Sequence, residues 1–197
     1  MLKKIVVIGP ESTGKSTLCQ QLAEHFETVW CPEYAREYLL TNGKDYSYTD
    51  LLTIAKGQIA GEKNWAELLE KRAAPLLEQD YDIPYFIDTN MVVMKVWAEF
   101  VFNKCHPYIE EQLAKRKYDH YLLCQPDLEW EKDELREYPD LETRERLFFI
   151  YKNYLEQQSI PWTLIKGKNK DRLQSAICTV NKILESSFAI DSQQVSE

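Results

Sequence analysis

The chain has 197 residues, of which 44% are hydrophobic and 12% are aromatic. A chain this rich in aromatic side chains is not intrinsically disordered, and its length suits one domain with a single core that carries lids or insertions. The formal net charge is −8 and no long block of Lys and Arg occurs, which argues against a nucleic-acid-binding surface.

The cysteines and the apolar runs indicate in which cellular compartment the protein is expected. The five cysteines lie singly along the chain, without a CxxC pair, at Cys19, Cys31, Cys105, Cys124 and Cys178. We interpret them as small core residues in a reducing compartment. The first residues are too few and too charged for a signal peptide, and no apolar run approaches the roughly 18 residues of a membrane span. We therefore expect a cytoplasmic protein without a membrane partner.

Short apolar runs alternate with segments of helical periodicity. The continuous apolar runs predict strands buried on both faces, at 5–8, 28–31, 85–88, 120–124 and 162–165. Apolar residues at helical spacing predict helices at 16–26, about 50–71, 91–101, around 147–155 and around 173–184. This order indicates an α/β domain, residues 1–185, with a five-stranded parallel sheet, helices on both faces and a polar tail at 186–197. Ligands of such sheets bind at the carboxyl ends of the strands.

A phosphate-binding loop follows the first predicted strand. Residues 9–17, GPESTGKST, fit G-x-x-x-x-G-K-[ST] in every fixed position, with a strand before and a helix after. Such a loop turns backbone N–H groups toward phosphate oxygens, and the helix directs its positive end at the same anion. We expect Lys15 at the β- and γ-phosphates, Ser16 at Mg²⁺ and Thr17 at the α-phosphate. The predicted ATP site comprises Gly9, Glu11, Ser12, Thr13, Gly14, Lys15, Ser16, Thr17 and, from a later loop, Arg172.

Two residues of the predicted ATP site allow two interpretations each. Glu11 is unusual in an anion-binding loop, because its carboxylate would be repelled by phosphate. Its side chain either turns outward toward a second substrate or is simply solvated. Arg172 follows the fifth strand, in a loop expected over the adenine base. It either stacks on adenine or opens the last helix.

The end of the third strand narrows the type of phosphate-binding protein. Asp88 stands where P-loop proteins hold Mg²⁺, often through water. The next residues are Thr89 and Asn90, in place of the Glu with which AAA-type machines activate water, so a motor ATPase is disfavoured. Asn-Lys-Asp at 169–171 is one residue too short for the GTPase pattern [NT]-K-x-D. The sequence favours a small-molecule kinase, in which positioning and charge neutralisation perform most of the catalysis.

The segment PEYAREY, residues 32–38, follows the second strand, where nucleoside kinases place the acceptor. Glu33 is a candidate base for the attacking hydroxyl, and Arg36 is a candidate to hold the acceptor or a phosphate. Residues three apart share a helical face. The alternative is a solvated, weakly stabilising Glu33–Arg36 pair.

The charged segment at about 126–146 is a predicted lid. Kinase lids exclude water and bring arginines over the phosphates, although a solvated charged surface is the alternative here. The candidates are Arg136, Arg144 and Arg146. Because Arg144 and Arg146 are two apart, at most one of them reaches the phosphates. Trp130 either caps a flat ligand or anchors the lid.

Five motifs in order resemble the kinase domain of NadR-type proteins. They are GPESTGKSTL, PEYAREY, IAKGQ at 54–58, FIDT and LLCQPDLEWEKDELR, and the resemblance runs from Lys4 to about Leu184. It implies a P-loop nucleoside- or nucleotide-kinase-like fold that uses ATP and Mg²⁺. It also implies that the 5′-hydroxyl of nicotinamide riboside is phosphorylated, giving nicotinamide mononucleotide in NAD salvage.

The resemblance also implies individual roles. ATP would be bound by Gly14, Lys15, Ser16 and Thr17, and magnesium by Ser16 and Asp88. The riboside would face Glu33, Tyr34 and Arg36, with Asp127 and Trp130 near the base of the lid. Arg136 matches the arginine of the family's lid motif and therefore ranks above Arg144 and Arg146.

The sequence departs from the family in two respects. Only His25, His106 and His120 occur, so the HxGH motif of the family's adenylyltransferase domain is absent from this sequence. The lid is longer and more acidic than the glycine-containing form expected for the family. Two alternatives therefore stand beside nicotinamide riboside: another nucleoside-like acceptor, or a nucleotide-sensing P-loop ATPase that acts as a regulatory module.

Overall fold

A computed structural model describes residues 1–79 and 81–194, without the side chains of 186–194. Its five-stranded sheet consists of β1 (Leu2–Ile8), β2 (Trp30–Cys31), β3 (Ile83–Asp88), β4 (His120–Cys124) and β5 (Trp162–Ile165). The spatial order is β2-β3-β1-β4-β5, and every pairing is parallel. The predicted parallel α/β sheet is confirmed.

Helices cover both faces of the sheet. They are α1 (Lys15–His25), α2 (Tyr34–Asn42), α3 (Tyr48–Leu77), α4 (Met91–Phe102), α5 (Pro107–Lys115), α6 (Leu141–Glu156) and α7 (Asn169–Gln194). Val6 and Ile8 of β1 join one core cluster with side chains of α3, α4 and α6. Ile5 and Val7 join a second cluster with α1 and α7. This alternation follows from the period of two along a strand.

The helices differ from the sequence-based prediction in three places. The expected helical turn at PEYAREY is a full helix, α2, and α5 was not predicted at all. The long helix α3 begins earlier than expected, after a capping box in which Ser47 and Asp50 bond each other's backbone N–H groups. Helix α7 continues past the expected boundary at 185, and residues 195–197 of the expected tail lie outside the described residues.

The parallel strands all end at one edge of the sheet, where the segments after Ile8, Cys31, Asp88, Cys124 and Ile165 meet. A functional site built from those segments is what this topology allows. Among the helices that the structure describes, none has the length and apolar character of a membrane span.

Candidate active site

The loop between β1 and α1 is held in shape by its own residues. Gly9 has a φ of +144°, and a Cβ there would lie 2.6 Å from the carbonyl oxygen of Cys124, so only glycine fits. Thr13 Oγ1 and Lys15 Nζ each donate a hydrogen bond to the Pro10 carbonyl oxygen at 2.8 Å. Gly14, with a φ of 73°, stands directly before α1. The backbone of this loop therefore has the form that binds phosphate.

Asp88 ends β3 beside this loop and is fully buried. Neither carboxylate oxygen has a hydrogen-bond partner among the described residues. Burial first, and then the negative charge of Glu33, raise the pKa of Asp88, while the positive charge of Lys15 acts in the opposite direction. A buried carboxylate without a partner is costly, and a divalent cation is one way to satisfy it.

The residues around Asp88 fit magnesium better than a metal held by protein ligands alone. Among the side chains that the structure describes, those of residues 1–79 and 81–185, no group of three or more His, Cys, Asp and Glu could hold a metal ion. Mg²⁺ usually takes one or two carboxylates and completes its shell with water and substrate phosphates. Asp88, with the Ser16 hydroxyl at the start of α1, matches that pattern.

A cavity of about 430 Å³ lies over the loop. Its lining combines loop residues 9–17 with Glu33, Arg36 and a group of apolar and aromatic side chains. Beyond the loop, the lining residues are Glu33, Ala35, Arg36, Leu39, Val93, Trp97, Phe100, Asp133, Leu135, Arg136, Glu137, Tyr138, Leu147 and Tyr151. The cavity thus joins a phosphate site to a surface suited to a flat ring.

Glu33 and Arg36 both line the cavity, but they are not paired in the way that the solvated alternative predicts. Glu33 is the residue directly before α2. Arg36 instead forms an ion pair with Asp133 in the lid, with Nη2 and Oδ2 2.9 Å apart. Arg36 therefore connects α2 to the lid, and Glu33 remains available to an acceptor.

Tyr34 is not among the residues that line the cavity, and its contact with the riboside stays a prediction. Its ring packs on α3, where a Cβ at Gly57 would lie 2.0 Å from Tyr34 Cε1. Its backbone N–H donates to Gln58 Oε1 at 2.9 Å. Gly57 and Gln58 are positioning residues that the sequence reasoning missed, although both lie in the IAKGQ motif.

Trp130 anchors the lid to the phosphate loop. Trp130 Nε1 donates to Glu11 Oε1 at 3.2 Å, and the backbone N–H groups of Glu137 and Tyr138 donate to the same carboxylate at 2.9 and 2.7 Å. Glu11 is therefore bonded to the lid and is not simply solvated; because it also lines the cavity, its contact with a second substrate stays a prediction. Trp130 is not among the residues that line the cavity, and its contact with the riboside stays a prediction.

Asp127 and Arg172 connect the loops that follow β1, β4 and β5. Asp127 Oδ2 accepts the Gly167 backbone N–H at 2.6 Å, and Asp127 Oδ1 accepts a bond from Arg172 Nη2. Arg172 also donates to the carbonyl oxygens of Thr13, Gln125 and Gly167 and is 4% exposed. These side chains are bonded to each other and to the backbone, and their contacts with the riboside and with adenine stay predictions.

Of the three lid arginines, only Arg136 lines the cavity. Its guanidinium is bonded to the Glu131 carbonyl oxygen. Arg144 is buried and donates to the Leu128 carbonyl oxygen at 3.3 Å, while the Arg146 guanidinium lies 5.2 Å from the centroid of the Phe100 ring. The predicted ranking of Arg136 above the other two agrees with this placement.

Known proteins share this fold. The trifunctional NAD biosynthesis/regulator protein NadR of Escherichia coli (strain K12) is 25% identical over 174 residues, 86% of this chain and 40% of that protein. The Salmonella typhimurium protein of the same name gives the same figures. The chain therefore spans about two fifths of the length of the curated relatives that it matches.

Solved structures extend the comparison. A NadR protein in complex with NR has a TM-score of 0.73 at 21% identity, covering 93% of this chain and 50% of that one. Deoxyadenosine kinase from M. mycoides with bound dATP has a TM-score of 0.54 at 14% identity, covering 91% and 99%. These likenesses confirm the predicted P-loop kinase-like fold and the resemblance to NadR-type proteins. A family model described as an AAA domain, AAA_28, matches residues 4–172, and the chain belongs to that family.

Proposed function

We propose that the protein is an ATP- and Mg²⁺-dependent kinase that phosphorylates nicotinamide riboside to nicotinamide mononucleotide in NAD salvage, in the cytoplasm. The observation that carries the proposal is the single cavity in which the phosphate loop, Glu33 and an aromatic wall meet. The relatives support it, because NadR proteins are described as acting in NAD biosynthesis and one is solved in complex with NR. A second is solved with NAD and AMP-PNP.

The residues of the cavity divide the work of phosphoryl transfer. Lys15 and the loop backbone bind the triphosphate, Thr17 contacts the α-phosphate, and Arg136 reaches the transferred phosphoryl group from the lid. Glu33 takes the proton from the 5′-hydroxyl, with Asp88 as the other candidate base. Because the barrier is lowered mainly by positioning and charge neutralisation, the distances among these groups determine the rate.

Asp88 and Ser16 would hold the magnesium ion. When bound, Mg²⁺ would neutralise the charge that develops on the phosphate oxygens. The buried carboxylate of Asp88 has no hydrogen-bond partner among the described residues, as expected of a carboxylate that binds a cation. The ion would also lower the pKa of Asp88 by its charge.

The aromatic wall fits the base of the acceptor. It consists of Trp97, Phe100, Tyr138 and Tyr151, which line the same cavity as the phosphate loop. A planar ring packs well on such side chains, and a pyridinium ring gains further from their negative faces. A neutral nucleoside also fits this wall, and the structural likeness to deoxyadenosine kinase makes another nucleoside the second candidate acceptor.

The proposal is tested by ADP formation from ATP and Mg²⁺ with nicotinamide riboside, with a panel of deoxynucleosides and ribonucleosides, and without acceptor. We expect ADP formation that depends on the riboside and is lost in Lys15→Ala. Equal, low ADP formation with every acceptor would reject the riboside and favour a nucleotide-sensing module. Preference for a deoxynucleoside would favour the second candidate.

A further inference from the structure

Two side chains of the phosphate loop are bonded to the lid. Glu11 accepts three hydrogen bonds, from Trp130 Nε1 at 3.2 Å and from the backbone N–H groups of Glu137 and Tyr138 at 2.9 and 2.7 Å. Ser12 Oγ donates to the Glu129 carbonyl oxygen at 3.3 Å and accepts the Glu131 N–H at 3.1 Å. The lid therefore docks on the tip of the loop along much of its length.

The position of Glu11 explains why a carboxylate is tolerated there. Backbone N–H groups of such a loop face phosphate, so a neighbouring carboxylate must face away from it. Glu11 turns to the lid, where the backbone N–H groups of Glu137 and Tyr138 replace the water that the carboxylate would otherwise bind. Hydrogen bonds to a charged acceptor are stronger than those between neutral groups. The carboxylate of Glu11 is thus bonded to the lid.

The docked segment carries the side chains that complete the cavity. Arg136 directly precedes Glu137, and Arg136 and Tyr138 both line the cavity. A carboxylate that holds the backbone of Glu137 and Tyr138 consequently fixes where the Arg136 guanidinium lies. The ion pair between Arg36 and Asp133 ties the same lid to α2. The lid is thereby attached to the phosphate loop by Glu11 and to α2 by Arg36.

We propose that Glu11 is a positioning residue that docks the lid on the phosphate loop, so that binding of a nucleoside triphosphate and closure of the lid stabilise each other. A phosphate-bound loop presents Glu11 in a fixed place, and a docked lid keeps the loop in the phosphate-binding form. By linkage, each event strengthens the other to the same extent. The inference takes the ligand, a nucleoside triphosphate, from the proposed function, but the lid docking itself is present without it.

Limited trypsin digestion tests the docking directly, because Lys132 and Arg136 are cleavage sites within the lid. The variants are Glu11→Ala and Glu11→Gln, digested with and without AMP-PNP and Mg²⁺, with cleavage after Lys132 and Arg136 quantified by mass spectrometry. The matched control is Glu129→Gln, which removes the same charge from a side chain that is 93% exposed. Circular dichroism melting establishes that each variant is folded.

We expect Glu11→Ala to be cleaved in the lid about tenfold faster than the wild type, because cleavage follows the population of the open lid. Glu11→Gln keeps one acceptor oxygen, so its rate of lid cleavage should lie between those of the wild type and Glu11→Ala. Glu129→Gln should be cleaved at the wild-type rate. AMP-PNP should protect the lid of the wild type more than that of Glu11→Ala. The KM for ATP should rise more than kcat falls, and ATP hydrolysis without acceptor should increase because water enters the site.

Equal lid cleavage in Glu11→Ala and the wild type, with both folded, would overturn the inference. Loss of lid protection in Glu129→Gln as well would assign the effect to general charge and would overturn it too. Failure of the proposed function looks different. If AMP-PNP protects the wild type but riboside is not phosphorylated, the acceptor is wrong and the role of Glu11 stands. If AMP-PNP gives no protection even to the wild type, the proposed coupling to nucleotide is wrong.

Discussion

Gln58 Oε1 accepts a hydrogen bond at 2.9 Å from the backbone N–H of Tyr34, so an amide on α3 fixes the first residue of α2. The Nε2 of the same side chain donates to the Thr89 carbonyl oxygen at 3.1 Å. Tyr34 directly follows Glu33, and Thr89 directly follows Asp88. One buried side chain, 2% exposed, therefore connects the two carboxylates that are the candidates for base and metal ligand.

Replacing Gln58 by Met should remove this connection while keeping most of the volume. The Tyr34 N–H and the Thr89 carbonyl oxygen would lose a buried partner, which costs about 1–3 kcal/mol of unfolding free energy. We expect kcat to fall about tenfold, because an error of an ångström in position is enough for that. The KM for ATP should change little, since the phosphate loop is untouched. Urea unfolding and steady-state kinetics measure both effects.

The control for Gln58→Met is Gln20→Met, which changes an exposed glutamine on α1. It should leave both quantities near their wild-type values. A Gln58→Met variant with the wild-type kcat would show that the amide has a structural role only.

Gly57 provides the space for the Tyr34 ring. A Cβ there would lie 2.0–2.5 Å from three ring carbons, so the ring must leave its present position in Gly57→Ala. Alanine normally stabilises a helix relative to glycine, but the steric overlap should outweigh this and destabilise the protein by about 2 kcal/mol. The displaced ring should also shift Glu33, which directly precedes it, and lower kcat. Thermal melting and kinetics measure both.

Gly61→Ala is the matched control in the same helix. Its Cβ would lie 3.4 Å from Cys31 Sγ, an ordinary contact, so the usual gain in helix stability should appear. Equal stability of the Gly57 and Gly61 variants would contradict the packing explanation.

Glu33→Gln should distinguish the two candidate bases. The amide cannot accept the proton of the acceptor hydroxyl, so we expect kcat to fall at least about 100-fold. ATP binding, measured by calorimetry, should persist because the triphosphate is held by the loop. Turnover near that of the wild type would assign the base to Asp88 or remove a base from the mechanism.

The protonation of His120 should make the free energy of unfolding depend on pH. Burial lowers its pKa from 6.5 to about 4, while Nε2 lies 2.9 Å from Thr163 Oγ1. The folded state disfavours the protonated ring, so the contribution to stability is complete above pH 6.5 and is lost as pH falls from there through about 4. Between pH 7.5 and 5.5, the wild type should lose about 1 kcal/mol more than His120→Gln, after allowance for solvent screening.

Urea unfolding of the wild type and of His120→Gln at both pH values measures that difference. The contributions of the other titrating groups are the same in both proteins and cancel. His25→Gln, at an exposed position of α1, should not reduce the pH dependence in the same way. Identical pH profiles for the wild type and His120→Gln would show that the ring titrates normally in the folded state.

The phosphate loop and the position of Asp88 could be predicted because both depend on local order along the chain. The spacing of Gly9, Gly14 and Lys15 is a local pattern, and the apolar run before Asp88 places it at the end of a strand. Parallel topology then brings the strand ends together. The aromatic wall was not predicted as such, because its residues come from α4, α6 and the lid and meet only in the fold.

Side-chain partners far apart in sequence could not be predicted. Arg172 bonds Thr13 across 159 positions, and Glu11 bonds Tyr138 across 127. A charged residue near a predicted site suggests a ligand contact, but the sequence does not indicate whether another protein group already satisfies it. For Glu11, Asp127 and Arg172, protein groups do.

Identification of the phosphorylated product is the most direct test of riboside phosphorylation. The protein is incubated with ATP labelled at the γ-phosphate, Mg²⁺ and nicotinamide riboside, and the product is separated and identified by mass spectrometry. We predict that the label appears in nicotinamide mononucleotide, with one equivalent of ADP, and that Lys15→Ala forms neither. Label recovered only as inorganic phosphate, at a rate unaffected by the riboside, would contradict the proposed kinase.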